Sequence, residues 1–132
     1  MVNKQDFYNA VDIDITMVRG DAMVFNFQLG GLGRASAYTA DALLISLGVA
    51  EHYYDQPLFE VTRAERRGIQ LEEYDEAADL ATFSVRIAPY MTRRLDINRY
   101  YYDLRMRWNG ADDLTLMRGR FILVNEVKRS AV

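Results

Sequence analysis

Alternation of apolar and polar residues at period two dominates this chain, and a period of two dictates strands. It is clearest at residues 100–108, YYYDLRMRW, where Tyr100, Tyr102, Leu104, Met106 and Trp108 share one parity and Asp103, Arg105 and Arg107 the other. Successive side chains of a strand point to opposite faces, so this pattern buries one face and wets the other. The same rhythm sets Val11, Ile13, Ile15 and Met17 against Asp12, Asp14 and Thr16, and Met23, Phe25, Phe27 and Leu29 against Asn26 and Gln28. It returns at residues 81–87 with Phe83, Val85 and Ile87. No segment has the 3.6-residue period of a long amphipathic helix.

Turn chemistry separates these runs. Arg19-Gly20-Asp21 punctuates the first two, as strand, tight turn, strand. Residues 30–37 (GGLGRASA) are glycine-rich and predict a flexible connecting loop. Residues 43–49 (LLISLGV) are continuously apolar and suit a strand buried on both sides, with Ala40-Asp41-Ala42 before them able to cap a short helical turn. After the connection 50–57, a short strand is predicted at 58–61 and a charged turn at 62–68. A strand begins at Ile69-Gln70-Leu71, and Glu72 to Asp79 reads as an acidic, solvated hairpin end. Pro89 stops the strand at 81–87, and residues 90–95 predict a short helical turn. Asn109-Gly110 signals a hairpin, since both residues tolerate positive φ. The return strand runs from Leu114 to Val127. Its inward parity changes from Leu114 and Leu116 to Phe121 and Leu123, which predicts a β-bulge at Gly119. Ile122 and Val124 make the opposite face apolar, so something is expected to cover that stretch.

About eight short strands with tight connections make an all-β antiparallel sandwich the economical fold, with an eight-stranded barrel as the alternative. The expected organisation is an N-terminal arm at 1–10, anchored by Phe7 and Tyr8, a β-sandwich domain at 11–127 and a polar tail at 128–132. Half of the 132 residues are hydrophobic, enough for a core without staples. The absence of cysteine excludes a disulfide scaffold, a thiolate nucleophile and a cysteine zinc site. One histidine, His52, excludes a multi-histidine metal site. No apolar run approaches the ~20 residues of a membrane-spanning helix, and residues 1–14 show no signal-peptide core. No enzyme, cofactor or membrane role is expected.

The net charge of −3 is asymmetric: residues 1–82 carry 14 acids and 6 bases, residues 83–132 carry 5 acids and 10 bases. Of the 16 bases, 14 are arginine, the side chain suited to planar, bidentate pairing. Either the two halves neutralise each other within one fold, or an acidic and a basic face dock between neighbouring copies. The residues marked for protein contact are Phe7, Tyr8, Arg105, Arg107, Arg118, Arg120, Ile122 and Val124.

Other chemistry is weaker. Arg19-Gly20-Asp21 is the integrin tripeptide, yet a turn accounts for it. His52 lies beside Asp55, but no G-x-S-x-G elbow accompanies it. Glu72, Glu73, Asp75, Glu76 and Asp79 lack the offsets of a calcium loop. Gly30-Gly31-Leu32-Gly33 has no following Lys-Ser or Lys-Thr, so it is no phosphate loop. The tyrosines assigned to loops (Tyr38, Tyr53, Tyr54, Tyr74 and Tyr90) are left for contacts, including a possible carbohydrate platform. A sequence pI near 5.1 argues against nucleic acid as a partner.

The succession Ile-Thr-Met-Val-Arg-Gly-Asp-Ala, Pro-Leu-Phe-Glu, Phe-Ser-Val-Arg-Ile-Ala-Pro, Tyr-Tyr-Tyr-Asp-Leu-Arg-Met and Leu-Thr-Leu-Met-Arg-Gly-Arg-Phe-Ile-Leu resembles the small immunoglobulin-like domains of tailed bacteriophages and prophages. It is similar in particular to the N-terminal domain of baseplate upper proteins, over roughly residues 13–127. Arg19-Gly20-Asp21, Tyr102-Asp103-Leu104 and Arg118-Gly119 carry it most strongly. The segment Ala50–Gln56 departs from the family's short form, and no distal receptor-binding or coiled-coil part is expected. The resemblance implies an immunoglobulin-like sandwich in a virion, made in the bacterial host cytoplasm. Its expected role is structural, as a tail, baseplate or connector component that associates with its own copies and with other virion proteins. Decoration of the capsid is the alternative position. A carbohydrate-binding module is the alternative of a different class.

Overall fold

The computed structural model describes residues 11–63 and 68–126. The expected arm at 1–10 with Phe7 and Tyr8, residues 64–67 of the charged turn, Val127 and the tail at 128–132 lie outside the described residues.

The described chain forms β1 (Val11–Asp12), β2 (Ile15–Val18), β3 (Met23–Gly30), α1 (Ala35–Thr39), β4 (Leu43–Ala50), β5 (Phe59–Thr62), β6 (Ile69–Asp75), β7 (Leu80–Ile87), α2 (Pro89–Thr92), β8 (Arg99–Trp108) and β9 (Leu114–Val124). The larger sheet runs β9-β8-β4-β5, with β1 and β2 both alongside β9; the smaller is β3-β7-β6. Neighbours are antiparallel, except that β1 and β2 run parallel to β9. The result is an immunoglobulin-like β-sandwich.

The alternating residues build its core. Phe83, Val85 and Ile87 of β7 and Leu104 of β8 are fully buried, and Tyr100, Tyr102 and Met106 nearly so. Phe27 stacks on its cross-strand partner Phe83 with ring centroids 5.4 Å apart. Burying a side chain of this size stabilises by roughly 1.5–3 kcal/mol. At the start of β8, the Tyr100 hydroxyl donates to the Asp96 carbonyl at 2.8 Å, the tyrosine corner of immunoglobulin sandwiches. Antibody domains place a disulfide cysteine two residues later. This cysteine-free chain places the buried ring of Tyr102 there.

Several expectations are corrected. The strand expected over 11–18 is broken at Ile13–Asp14, and Val11 and Ile13 are each 47% exposed. They occupy a sheet edge where the core has run out, while Ile15 and Met17 reach it. Arg19-Gly20-Asp21 is a tight turn with Gly20 at φ 82° and the Asp21 N–H on the Val18 carbonyl, but it carries the chain from one sheet to the other. β4 is buried on one face only: Leu44 is 52% exposed between buried Leu43 and Ile45. The parity change in β9 is real, but the bulge lies at Leu116, between the pairs Leu104–Met117 and Arg105–Thr115. Gly119 has a different cause, since a Cβ there would collide with the Ile13 carbonyl.

The loop expected to be flexible is tied down. It contains the helical turn α1, and Tyr38 within it is fully buried rather than left for contacts. The acidic hairpin end is shorter than expected, because β6 continues to Asp75 and turns through Glu76 to Asp79 into β7.

Candidate functional site

The outer face of the larger sheet collects most of the residues marked for contact. β8 projects Arg105 and Arg107 onto it, and β9 projects Arg118, Arg120, Ile122 and Val124. Each of these arginines meets a carboxylate of its own chain. Arg105 pairs with Asp103 at 2.9 Å, Arg107 with Asp113 at 2.9 Å, Arg118 with Asp12 at 3.2 Å and Arg120 with Asp14 at 2.7 Å. The last two pairs join the acidic beginning of the chain to its basic end, 106 residues apart. Part of the charge asymmetry is therefore neutralised within the fold.

Asp14 is the most tightly held of these carboxylates. It accepts the Nε and Nη2 of Arg120 at 3.0 and 2.7 Å and the Arg120 backbone N–H at 3.0 Å. Those bonds from Arg120 hold its carboxyl below the ordinary range. All four arginines remain about half exposed, so each pair contributes little to stability, and their outer edges stay open to a partner.

The connection 51–57 folds over the same face. Tyr53 packs on Tyr101 with centroids 4.8 Å apart, and the Arg118 guanidinium lies 5.8 Å from the Tyr53 ring centroid. His52 lies 6.4 Å from Tyr101, and its carbonyl accepts the Asp55 N–H. The segment that departs from the resembled family thus forms one wall of an open groove of about 1040 Å³, with Leu44, Ser46 and Gly48 of β4 in its lining. Ile122 and Val124 are half-buried; their register partners on β2 are Thr16 and Val18, which lie beside them rather than over them. A second hollow, of about 720 Å³, joins Ile122 and Val124 to Ile97 and Arg99. The sequence reading missed Tyr101 and the four partner aspartates. The outward parity of Tyr101, Asp12, Asp14 and Asp103 was the signal for four of them.

The glycine loop does hold an anion, but that anion is the chain's own. Gly31 and Gly33 each donate a backbone N–H to Asp79 Oδ2 at 3.0 Å, and the hydroxyls of Tyr38 and Tyr74 donate to Asp79 Oδ1 at 2.9 Å. Burial works against the charge of Asp79, yet these four bonds outweigh it and keep the pKa below the ordinary carboxylate value. Asp79 was expected to be solvated; it instead anchors the loop from 46–48 residues away. Burial in turn pushes the Tyr38 phenol up to about 12.

The remaining motifs are structural. Arg19 donates to the Leu95 carbonyl at 3.3 Å, and the Gly20 N–H donates to Thr92 Oγ1 at 2.9 Å, so the tripeptide is fastened to α2 and the turn after it. Tyr54 is fully exposed and Tyr90 is 69% exposed. Among the described residues no group of three acidic or histidine side chains is arranged to hold a metal ion, and no helix is long and apolar enough to cross a membrane. No protein-family model matches the chain, and no curated protein matches it in sequence.

Proposed function

We propose that this chain is a non-enzymatic structural protein of a tailed-bacteriophage virion, an assembly module of the tail, baseplate or connector. The observation that carries this reading is the outer face of the larger sheet. It is broad and open, lined by half-exposed arginines held in fixed orientations by aspartates, and flanked by half-buried Ile122 and Val124. Pre-ordered arginines beside apolar side chains suit contact with another protein, where arginine is enriched and ordering entropy limits affinity. The motifs that carry the phage resemblance also lie at structural joints: Gly20 at the turn between sheets, and Tyr102 and Gly119 opposite each other on β8 and β9.

In this reading the sandwich is a rigid block whose partners are its own copies and other virion proteins. Capsid decoration uses the same chemistry at another position. Mass spectrometry of purified particles, with copy number, tests the role. Stoichiometric presence supports it, and absence from washed particles overturns it. Cryo-electron microscopy of the particle separates tail from capsid placement.

The competing reading, a carbohydrate-binding module, draws on exposed Tyr54 and Tyr90. Tyr53 is already engaged by Tyr101 and Arg118, which removes one ring from a free platform. Binding on a glycan array that is lost in a Tyr54→Ala, Tyr90→Ala variant favours this second reading.

A further inference from the structure

Among the described residues the two sheets present four lateral edges, and three of them are protected against pairing with another strand. The edge formed by β1 and β2 is interrupted at Ile13–Asp14 and carries two aspartates in ion pairs. β5 is only four residues long and carries Glu60. β6 has a bulge at Glu72 and bears Glu72, Glu73 and Asp75. Interruption, shortness, bulges and charge are the usual means of keeping edges from associating.

β3 has none of these. It is eight residues long, MVFNFQLG, without charge or proline, and it pairs with β7 without a bulge from Met23–Ile87 to Gly30–Leu80. Among the described residues no strand lies on its other side. Alternate N–H and C=O groups along that side therefore face outward. The core-facing side chains tell the same story. Val85 and Ile87 of β7 are fully buried, whereas their register partners Phe25 and Met23 on β3 are only partly covered. Val24, on the outer face, is 58% exposed.

We propose that β3 joins two copies of this chain, edge to edge and antiparallel about a twofold axis, merging two three-stranded sheets into one of six strands. A second copy is the occupant the edge fits. Its outward side chains, Val24, Asn26 and Gln28, are uncharged, so an identical strand meets no like charge. A different partner finds no charge there by which to be selected. Twofold antiparallel pairing satisfies both open edges with the same bonds and closes on itself. It also brings the partly covered Phe25 side chains to the junction. This deepens the assembly reading and rests on it, by naming the contact between copies.

The experiment uses the full chain. Light scattering after size exclusion, over a concentration series, is expected to show a species of twice 15.3 kDa that Val24→Lys and Gln28→Lys return to 15.3 kDa. Both positions are exposed, so the lysines leave the fold intact, which circular dichroism checks. Because the chain has no cysteine, Val24→Cys, Asn26→Cys and Gln28→Cys report the register directly. Oxidised by air, singly and in pairwise mixtures, one combination is expected to give a disulfide-linked dimer, since bridged Cα atoms must lie roughly 4.4–6.8 Å apart. Thr62→Cys on β5 is the control and is expected to give no disulfide-linked dimer. A wild-type dimer that survives both lysine substitutions, with no cross-link through β3, overturns the β3 contact and leaves the assembly reading standing. A wild-type chain that is monomeric throughout and never cross-links through β3 also overturns the contact. Particle mass spectrometry then decides the virion role separately.

Discussion

The phenolic hydroxyl of Tyr102 donates to the carbonyl oxygen of Ile13 at 2.5 Å, across 89 residues of chain. Gly119, the register partner of Tyr102 on β9, lies between them in the sheet. A Cβ on Gly119 would stand 2.8 Å from the Ile13 carbonyl carbon, so the missing side chain is what lets the β1–β2 edge approach. Two residues thus act on one carbonyl, one by bonding it and one by leaving room.

Tyr102→Phe is expected to cost about 1 kcal/mol, because the hydrogen bond from the phenol to the Ile13 carbonyl is lost. Gly119→Ala is expected to cost about 3 kcal/mol, through a clash with backbone that cannot yield without loosening the edge. Urea denaturation measures both. The double variant should cost less than the sum, since each change already displaces the same segment. Hydrogen exchange should accelerate in β2 in either variant.

Asp79→Asn is expected to destabilise by about 2–3 kcal/mol, since two tyrosine hydroxyls and two backbone N–H groups lose their charged acceptor. It should also change the acid response. The folded pKa of Asp79 lies below its unfolded value, so its contribution is present above the unfolded pKa of about 3.9 and is lost as pH falls through the folded one. Thermal melts from pH 6 downward are expected to show a flatter decline in the variant than in the wild type. Equal slopes would remove Asp79 from the account.

At the alkaline end the sign reverses. Burial raises the phenols of Tyr38 and Tyr102 to about 12. Their neutral forms contribute stability that is complete below the unfolded value of about 10 and is lost as pH rises towards 12. Ultraviolet titration at 295 nm is expected to show these two tyrosines ionising only with unfolding, and the decline of stability between about pH 10 and about pH 12 should be shallower in Tyr102→Phe.

Among the surface pairs, Arg120→Gln is expected to lower the denaturation midpoint more than Arg107→Gln. Asp14 meets Arg120 through three donors, Asp113 meets Arg107 through one, and only the first pair fastens an edge strand. Raising the salt concentration should narrow the difference.

Much of the sandwich was legible because period two survives folding unchanged. The inward parities of β3, β7 and β8 were read directly from Phe27, Phe83 and Leu104. What escaped depends on distant residues. The alternation of residues 11–18 runs straight through the break at Ile13, and nothing local says that the core ends before Val11. Tyr38 sits in a glycine-rich stretch, and its burial is set by Asp79, hidden in an acidic run 41 residues away. The charge asymmetry was visible, but not that Asp12 and Asp14 would find Arg118 and Arg120. That choice follows from the parallel pairing on β9, which the alternation does not specify.

The parallel pairing of β1 and β2 with β9 has a mechanical consequence. The chain enters this pair beside Met117 and leaves it past Val124, seven residues further along the same direction, or about 23 Å at strand rise. Tension between these points pulls the two strands lengthwise past each other. The backbone bonds from Val11 to Val18 then share the load in shear, instead of opening in sequence as a zipper does. Resistance to such a pull is set by the unfolding rate rather than by equilibrium stability. A sandwich fastened this way transmits axial force along its length, and Gly119 is the position at which the fastening is most easily undone.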